Sequence, residues 1–130
     1  MSQTERTYTD PDINMETEAY WAAAKDGKLL VKTCNACGKP HYYPRALCPH
    51  CLSDDTDWVE ASGKGTIYTY SVMRRTEAPF VIAYVTLEEG VTMLSNIVEC
   101  DVDDVRVGQA VEVTFRDTEN GHALPVFKLA

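Results

Sequence analysis

Cys34-Asn35-Ala36-Cys37 and Cys48-Pro49-His50-Cys51, two C-x-x-C pairs separated by ten residues, decide how this chain folds. Two such pairs this close together can deliver four thiolates to one tetrahedral ion. The two residues inside each pair form a tight turn, which aims both sulfurs at a common point. Gly38 follows the first pair, where the chain must curl back and a positive φ is called for. Pro49 presets φ inside the second. The spacing predicts a structural zinc ribbon with Cys34, Cys37, Cys48 and Cys51 as ligands. A closed four-thiolate shell has no open position for a substrate, so the motif speaks to architecture more than to chemistry.

Other readings of the cysteines are weaker. Disulfides need an oxidising compartment, and Met1-Ser2-Gln3-Thr4-Glu5-Arg6 offers no apolar stretch of the kind a signal peptide uses. A redox C-x-x-C usually stands singly beside a βαβ pattern, and the sequence has two pairs and no such pattern. An iron site of the rubredoxin kind uses the same four sulfurs, and spacing does not separate it from zinc. His41 and His50 are substitute ligands on paper, but four cysteines fill the shell, so both read as exposed loop residues. Cys100, a fifth and unpaired cysteine, reads as a small buried or half-buried hydrophobe.

At 130 residues the chain is one domain or a small module attached to one, and 45% hydrophobic residues suffice for an ordinary core. Nothing approaches the run of about 18 apolar residues that a membrane span requires. A cytoplasmic protein is the default expectation. The net charge of −8 sets 20 acidic against 12 basic residues. Zinc-bound thiolates would add about two further negative charges. Such a chain is repelled by phosphate backbones, which argues against non-specific nucleic-acid binding. The charge is uneven, however. Lys25, Lys28, Lys32, Lys39 and Arg45 gather around the ribbon, whereas acidic residues dominate between Glu88 and Glu119. The basic cluster reads either as ordinary solvated surface or as a local site for an anionic group, such as the phosphates of a nucleotide-bearing ligand.

Along the chain, residues 1–12 are polar and are expected to be loose or draped on a partner. Asn14 reads as an N-cap for a helix over 15–26, with Tyr20, Trp21 and Ala24 on one face and Gly27 as the stop. At about three turns this helix must dock on something, either its own domain or another subunit. Residues 28–33 read as a strand leading into the first knuckle. From Trp58 onward the pattern is β. Gly63 and Gly65 bracket a bulge or bend, and strands follow over 66–72, 80–87, 91–98, 111–115 and 124–129, with Asn120-Gly121 as a hairpin turn. The run Phe80–Leu87 is apolar enough to be covered on both faces. Tyr42, Tyr43, Tyr68 and Tyr70 read as core and strand packing. The fold class is mainly β: a tail and helix over 1–27, a rubredoxin-like zinc ribbon over 28–57, and over 58–130 a small, partly open five-stranded barrel of the OB type.

These elements in this order resemble a known family, small proteins with an N-terminal helix, a rubredoxin-like zinc ribbon and a C-terminal OB fold that partner thiolase-superfamily enzymes acting on acyl-CoA thioesters. The resemblance rests on Tyr20-Trp21, Gly27-Lys28-Leu29, the two knuckles, Tyr43-Pro44-Arg45, Ser62–Tyr68, Ala78–Val81, Gly90, Val107-Gly108-Gln109 and Leu124–Phe127. It implies a non-catalytic accessory subunit that stabilises a thiolase, acyltransferase or retro-aldolase and helps shape its acyl-CoA channel. It also implies a hetero-oligomer, with two-plus-two stoichiometry as the simplest guess. No Ser-His-Asp or comparable constellation stands out in the residues. Arg45 and the loop residues Arg74 and Arg75 are the candidates for meeting acyl-CoA, each against the plain alternative of a structural or solvated arginine. A nucleic-acid module and a free-standing acyl-CoA binder are the competing functions, and the acidic balance disfavours the first.

Overall fold

A computed structural model describes residues 8–130. Helix α1 runs Glu18–Lys25, shorter than its periodicity predicts. Asn14 acts one turn early. Its carbonyl accepts the Thr17 and Glu18 N–H groups at 3.0 Å, and its side chain accepts the Glu16 N–H at 2.9 Å. Thr17 occupies the N-cap, but its buried hydroxyl accepts the Asn14 N–H at 3.1 Å and caps nothing in the helix. At the other end the Lys28 N–H reaches the Ala23 carbonyl and the Gly27 N–H reaches Ala24, closing a Schellman motif.

Tyr20, Trp21 and Ala24 are buried, and α1 packs on β1 (Leu30–Cys34) and β8 (Ala123–Leu129). The helix thus docks on its own chain, joining ribbon to barrel. Its aromatic pair is pinned by the connector between the knuckles. The Tyr20 and Tyr42 hydroxyls lie 2.7 Å apart, and Trp21 Nε1 donates to the Tyr43 hydroxyl at 2.8 Å. The four rings meet edge-on or tilted with centroids 4.8–6.4 Å apart, a favourable geometry for aromatic quadrupoles. Burial pushes the Tyr20 phenol well above its ordinary range, and that of Tyr42 up to about 12, so both hydroxyls stay protonated.

The ribbon is a three-stranded antiparallel sheet in the order β2 (Pro40–His41), β1, β3 (Thr56–Glu60). β1 and β3 pair from Leu30↔Glu60 to Cys34↔Thr56. The barrel contains β4 (Lys64–Met73), β5 (Phe80–Leu87), β6 (Thr92–Val98), β7 (Ala110–Asp117) and β8, in the closed order β4-β5-β6-β8-β7. That is the OB arrangement, with a parallel β6–β8 contact where the chain crosses over through a short 3₁₀ turn at Val102–Asp104. The barrel closes fully rather than staying partly open, because β4 also pairs with β7, from Lys64↔Glu112 to Thr66↔Ala110.

Closure needs sharp curvature in β4. The bulge falls at Tyr68, between the Ile67↔Val85 and Thr69↔Tyr84 pairs, not at the glycines. The glycines do a different job. A Cβ on Gly65 would lie 2.7 Å from the Thr86 carbonyl oxygen, and one on Gly63 2.5 Å from Val113 Cγ1, so both let strands approach too closely for a side chain. Inside, Ile67, Val81, Val85, Met93, Val111 and Phe127 form the core, and Val105 plugs it from the connection before β7. β5 is not covered on both faces. Val81, Ala83, Val85 and Leu87 point inward, while Phe80, Ile82 and Thr86 are half-buried and Tyr84 is exposed.

Residues 8–12 drape over their own barrel. Asp10 accepts hydrogen bonds from the Thr118 hydroxyl at 2.6 Å, from the Asn120 N–H at 3.1 Å and from the Asn120 side-chain amide. The Tyr8 carbonyl accepts the Glu119 N–H at 3.2 Å. The earlier part of the expected tail, residues 1–7, lies outside the described residues.

Two outcomes test these assignments. Gly65→Ala should lower the urea midpoint with little change in m, by about 1–3 kcal/mol as an overpacked backbone contact. Hydrogen bonds from Thr118 first, and then from Asn120, hold the Asp10 carboxyl below its ordinary 3.8. A depressed folded-state pKa stabilises fully above the unfolded value and is lost as pH falls through the folded one. The stability gap between wild type and Asp10→Asn should therefore be constant above pH 5 and shrink below pH 4, as followed by thermal melts across pH.

Candidate functional site

The two knuckles are built alike. In each, the residue after the second cysteine returns its N–H to the first cysteine's carbonyl, Gly38 to Cys34 at 2.9 Å and Leu52 to Cys48 at 2.8 Å. In each, the first cysteine's N–H then closes the hairpin, Cys34 to the Lys39 carbonyl and Cys48 to that of Ser53. This turn demands a left-handed residue, and φ is +76° at Gly38 and +66° at Leu52. The second knuckle thus carries a leucine where glycine would be unstrained.

The four sulfurs all lie within 4.8 Å of one another, with Cys34–Cys51 at 3.6 Å and Cys37–Cys48 at 3.7 Å. A tetrahedron with metal–sulfur bonds of about 2.3 Å has edges of about 3.8 Å, so the cage fits one thiolate-bound ion. Cys34 and Cys48 are fully buried, and Cys37 and Cys51 face the surface. Backbone N–H groups, that of Cys37 foremost, pull the Cys34 thiol down to about 7. The Ser53 N–H favours a thiolate at Cys51, but the sulfurs of Cys34, Cys37 and Cys48 outweigh it and push that thiol up to about 12. A cation bound in the cage displaces the remaining thiol protons.

His50 is exposed as expected, with Nε2 3.4 Å from the Pro40 carbonyl. His41 is not a loop residue. It is buried on β2 opposite Lys32, with the Arg45 backbone beside its ring. Burial pulls its imidazole below the ordinary range, so it is neutral at pH 7. The two-residue strand β2 that buries it was too short to be read from a pattern. Cys100 is half-buried, as the sequence suggested.

The three candidate arginines occupy different parts of the surface. Arg45 lies on the ribbon and lines an open groove of about 430 Å³ with Tyr43, Pro44, Leu47, Pro49 and Leu52. Arg74 and Arg75 sit in the exposed β4–β5 loop, and Arg74 pairs with Asp103 at 2.7 Å. Lys32 is engaged within the ribbon, donating to the Thr56 hydroxyl at 3.2 Å and lying 4.7 Å from the Trp58 ring centre. Tyr42 and Tyr70 pack as expected, but Tyr68 is 68% exposed because the bulge turns it out of the barrel. The groove also has an apolar rim that sequence reasoning passed over, since Leu47 and Leu52 are exposed at 49% and 74%. A leucine directly after a C-x-x-C, where glycine belongs, was the available signal.

Two family models cover most of the chain: the rubredoxin-like zinc ribbon domain of ChsH2 over residues 21–57, and the ChsH2 C-terminal OB-fold domain over residues 58–116. A probable enoyl-CoA hydratase alpha subunit from Thermomonospora curvata is 35% identical over 125 residues, 92% of this chain and 39% of that protein. A DUF35 domain-containing scaffold protein from Methanocaldococcus jannaschii is 36% identical over 104 residues, 74% of each chain. The benzoylsuccinyl-CoA thiolase subunit BbsA of Geobacter metallireducens is 27% identical over 90% of this chain and 84% of its own. This chain thus spans well under half of the hydratase subunit and most of the other two. Among solved structures, the Ltp2-ChsH2(DUF35) aldolase matches with a TM-score of 0.81 and 34% identity, over 92% of this chain and 98% of that one.

Metal analysis should find one ion per chain. Cys48→Ser should abolish it and loosen the ribbon, read as lost dispersion of the residue 30–60 amides in NMR spectra. Because binding displaces thiol protons, affinity should fall as pH is lowered from 8 to 6.

Proposed function

This chain belongs to the ChsH2 family of zinc-ribbon and OB-fold proteins, and we propose that it is a non-catalytic accessory subunit of a thiolase-like acyl-CoA enzyme. The observation that carries the reading is the match of helix, ribbon and barrel together to the Ltp2-ChsH2(DUF35) aldolase, over 98% of that chain. The names of two further relatives, a scaffold protein and a thiolase subunit, point the same way. Whole-enzyme chemistry of the longer hydratase subunit is not carried over, because this chain spans 39% of it.

The ion in the cage is zinc. Four thiolates in a closed tetrahedron suit it, and it acts only to fix the ribbon. Acyl-CoA meets this subunit through its phosphates. Arg45 is exposed beside an open groove, polar on the side of Asn14, Glu16 and Thr17 and apolar on the side of Pro44, Leu47, Pro49 and Leu52, where the carbon chain of a pantetheine arm can lie. Arg74 and Arg75 offer two more guanidinium groups at the barrel loop. The Arg74–Asp103 pair is solvent-exposed, with both side chains more than half accessible. Such a pair is worth little in water, so a phosphate can displace the aspartate. The catalytic residues belong to the partner, the assembly is a hetero-oligomer with two-plus-two as its simplest form, and it works in the cytoplasm.

Gentle recovery of the tagged chain from its native cells should bring down a thiolase-superfamily protein in stoichiometric amount. Recovery of the chain alone, or with nucleic acid, would sink the proposal.

A further inference from the structure

Strands β4, β5 and β6 lie side by side in the barrel and contain 10, 8 and 7 residues, 25 in all. Only Lys64, at one end, is charged. Across the whole chain 32 of 130 residues (20 acidic plus 12 basic) are charged, so a stretch of this length would ordinarily hold about six. The inward half of each strand explains itself as core. The outward half does not, because an outer face in water is where a barrel normally places its charges.

That outer face is a continuous wall. Thr69 lies opposite Tyr84 and Tyr84 opposite Leu94, and the row beside it runs Ser71, Ile82, Asn96. Tyr84 is 46% exposed, Leu94 54%, and Tyr68 projects from the bulge at the same edge. Depletion of charge with enrichment of aromatic and large apolar side chains is the compositional mark of an interface centre. Three strands about 4.8 Å apart and about 26 Å long cover roughly 370 Å² in plan, against about 800 Å² that each side of a stable complex buries. The wall is therefore the middle of a contact, and the β4–β5 loop with Arg74 and Arg75 lies at its edge.

We infer that the outer wall of β4–β6 is the surface on which the catalytic subunit seats, and that the subunit presents to it an uncharged face. The accessory-subunit reading names this occupant, and charge disfavours the others. A second copy would bring another −8 to the first −8, for −16 in the pair, with no opposite charge on the wall to offset the repulsion. Nucleic acid and anionic lipid are disfavoured on the same ground. A charged protein face would lose its hydration against the wall and find no partner there.

The inference rests on the accessory-subunit reading, and the test separates the two. The tagged chain is co-expressed with the thiolase-like protein that co-purifies with it, and the product is followed by sedimentation velocity. Wild type and Val59→Arg, a control on the ribbon sheet, should sediment as the complex, with an affinity changing less than threefold between 50 and 500 mM salt. Tyr84→Arg/Leu94→Arg should sediment as the free chain with an unaltered circular dichroism spectrum, a loss of at least 100-fold in affinity. Should that double variant fail to fold, Thr69→Arg, at an exposed position in the same row, gives the same reading. Wild-type binding by these variants, or a steep salt dependence, would overturn the wall as the interface and leave the accessory role standing. A wild-type chain that dimerises alone through the wall would replace the partner with a second copy. Failure of the wild type to bind would overturn the accessory reading and this inference together.

Discussion

Four sulfur atoms held within 4.8 Å of one another are the constraint on which the first half of this molecule depends. The ribbon has almost no core of its own: apart from the buried cysteines, only Leu29, Val31, His41 and Pro44 are well buried between residues 28 and 60. So small a unit needs a staple, and the cage supplies it. Thiolates brought this close repel one another, so the cage resists losing all its protons. The ion resolves that conflict and fixes both knuckles. With the knuckles fixed, the intervening connector can present Tyr42 and Tyr43 to Tyr20 and Trp21. Through those rings the helix is locked to the ribbon, and through β8 it is locked to the barrel.

The barrel depends on a different device. Five short strands close only if one of them bends enough to pair on both sides, and β4 does so by combining a bulge at Tyr68 with a glycine that admits the Thr86 carbonyl. The same bulge that bends the strand ejects a tyrosine. An aromatic at this position therefore serves neither the core nor the solvent, which is why the wall of β4–β6 reads as a surface awaiting a neighbour.

Much of this was legible in sequence because its causes are local. The C-x-x-C spacing names the cage, Asn120-Gly121 marks the β7–β8 turn, and β-rich runs place the five strands. What escaped depended on contacts between distant residues. Asn14 looked like a helix cap but organises the turn before the helix, since Thr17 turns its hydroxyl back toward it. His41 looked like loop because β2 has only two residues, too few for a pattern. Phe80–Leu87 looked doubly covered because composition cannot tell a buried face from an exposed apolar one. Arg74 looked free, and its partner Asp103 is 29 residues away. The placement of Arg45 on the ribbon and of Arg74 and Arg75 in the loop after β4 was legible from sequence order.

The clasp between Asp10 and the Thr118–Asn120 turn joins residues 108 and 110 positions apart. During synthesis residues 8–12 must wait for β7 and the turn beyond it before they can seat, and α1 must wait for β8. The ribbon has no such dependence, for its strands and all four ligands lie between residues 30 and 60. Vectorial synthesis therefore imposes an order: the metal centre can be complete while the barrel is still unmade, the clasp becomes possible once the Thr118–Asn120 turn exists, and the docking of α1 on β8 follows it.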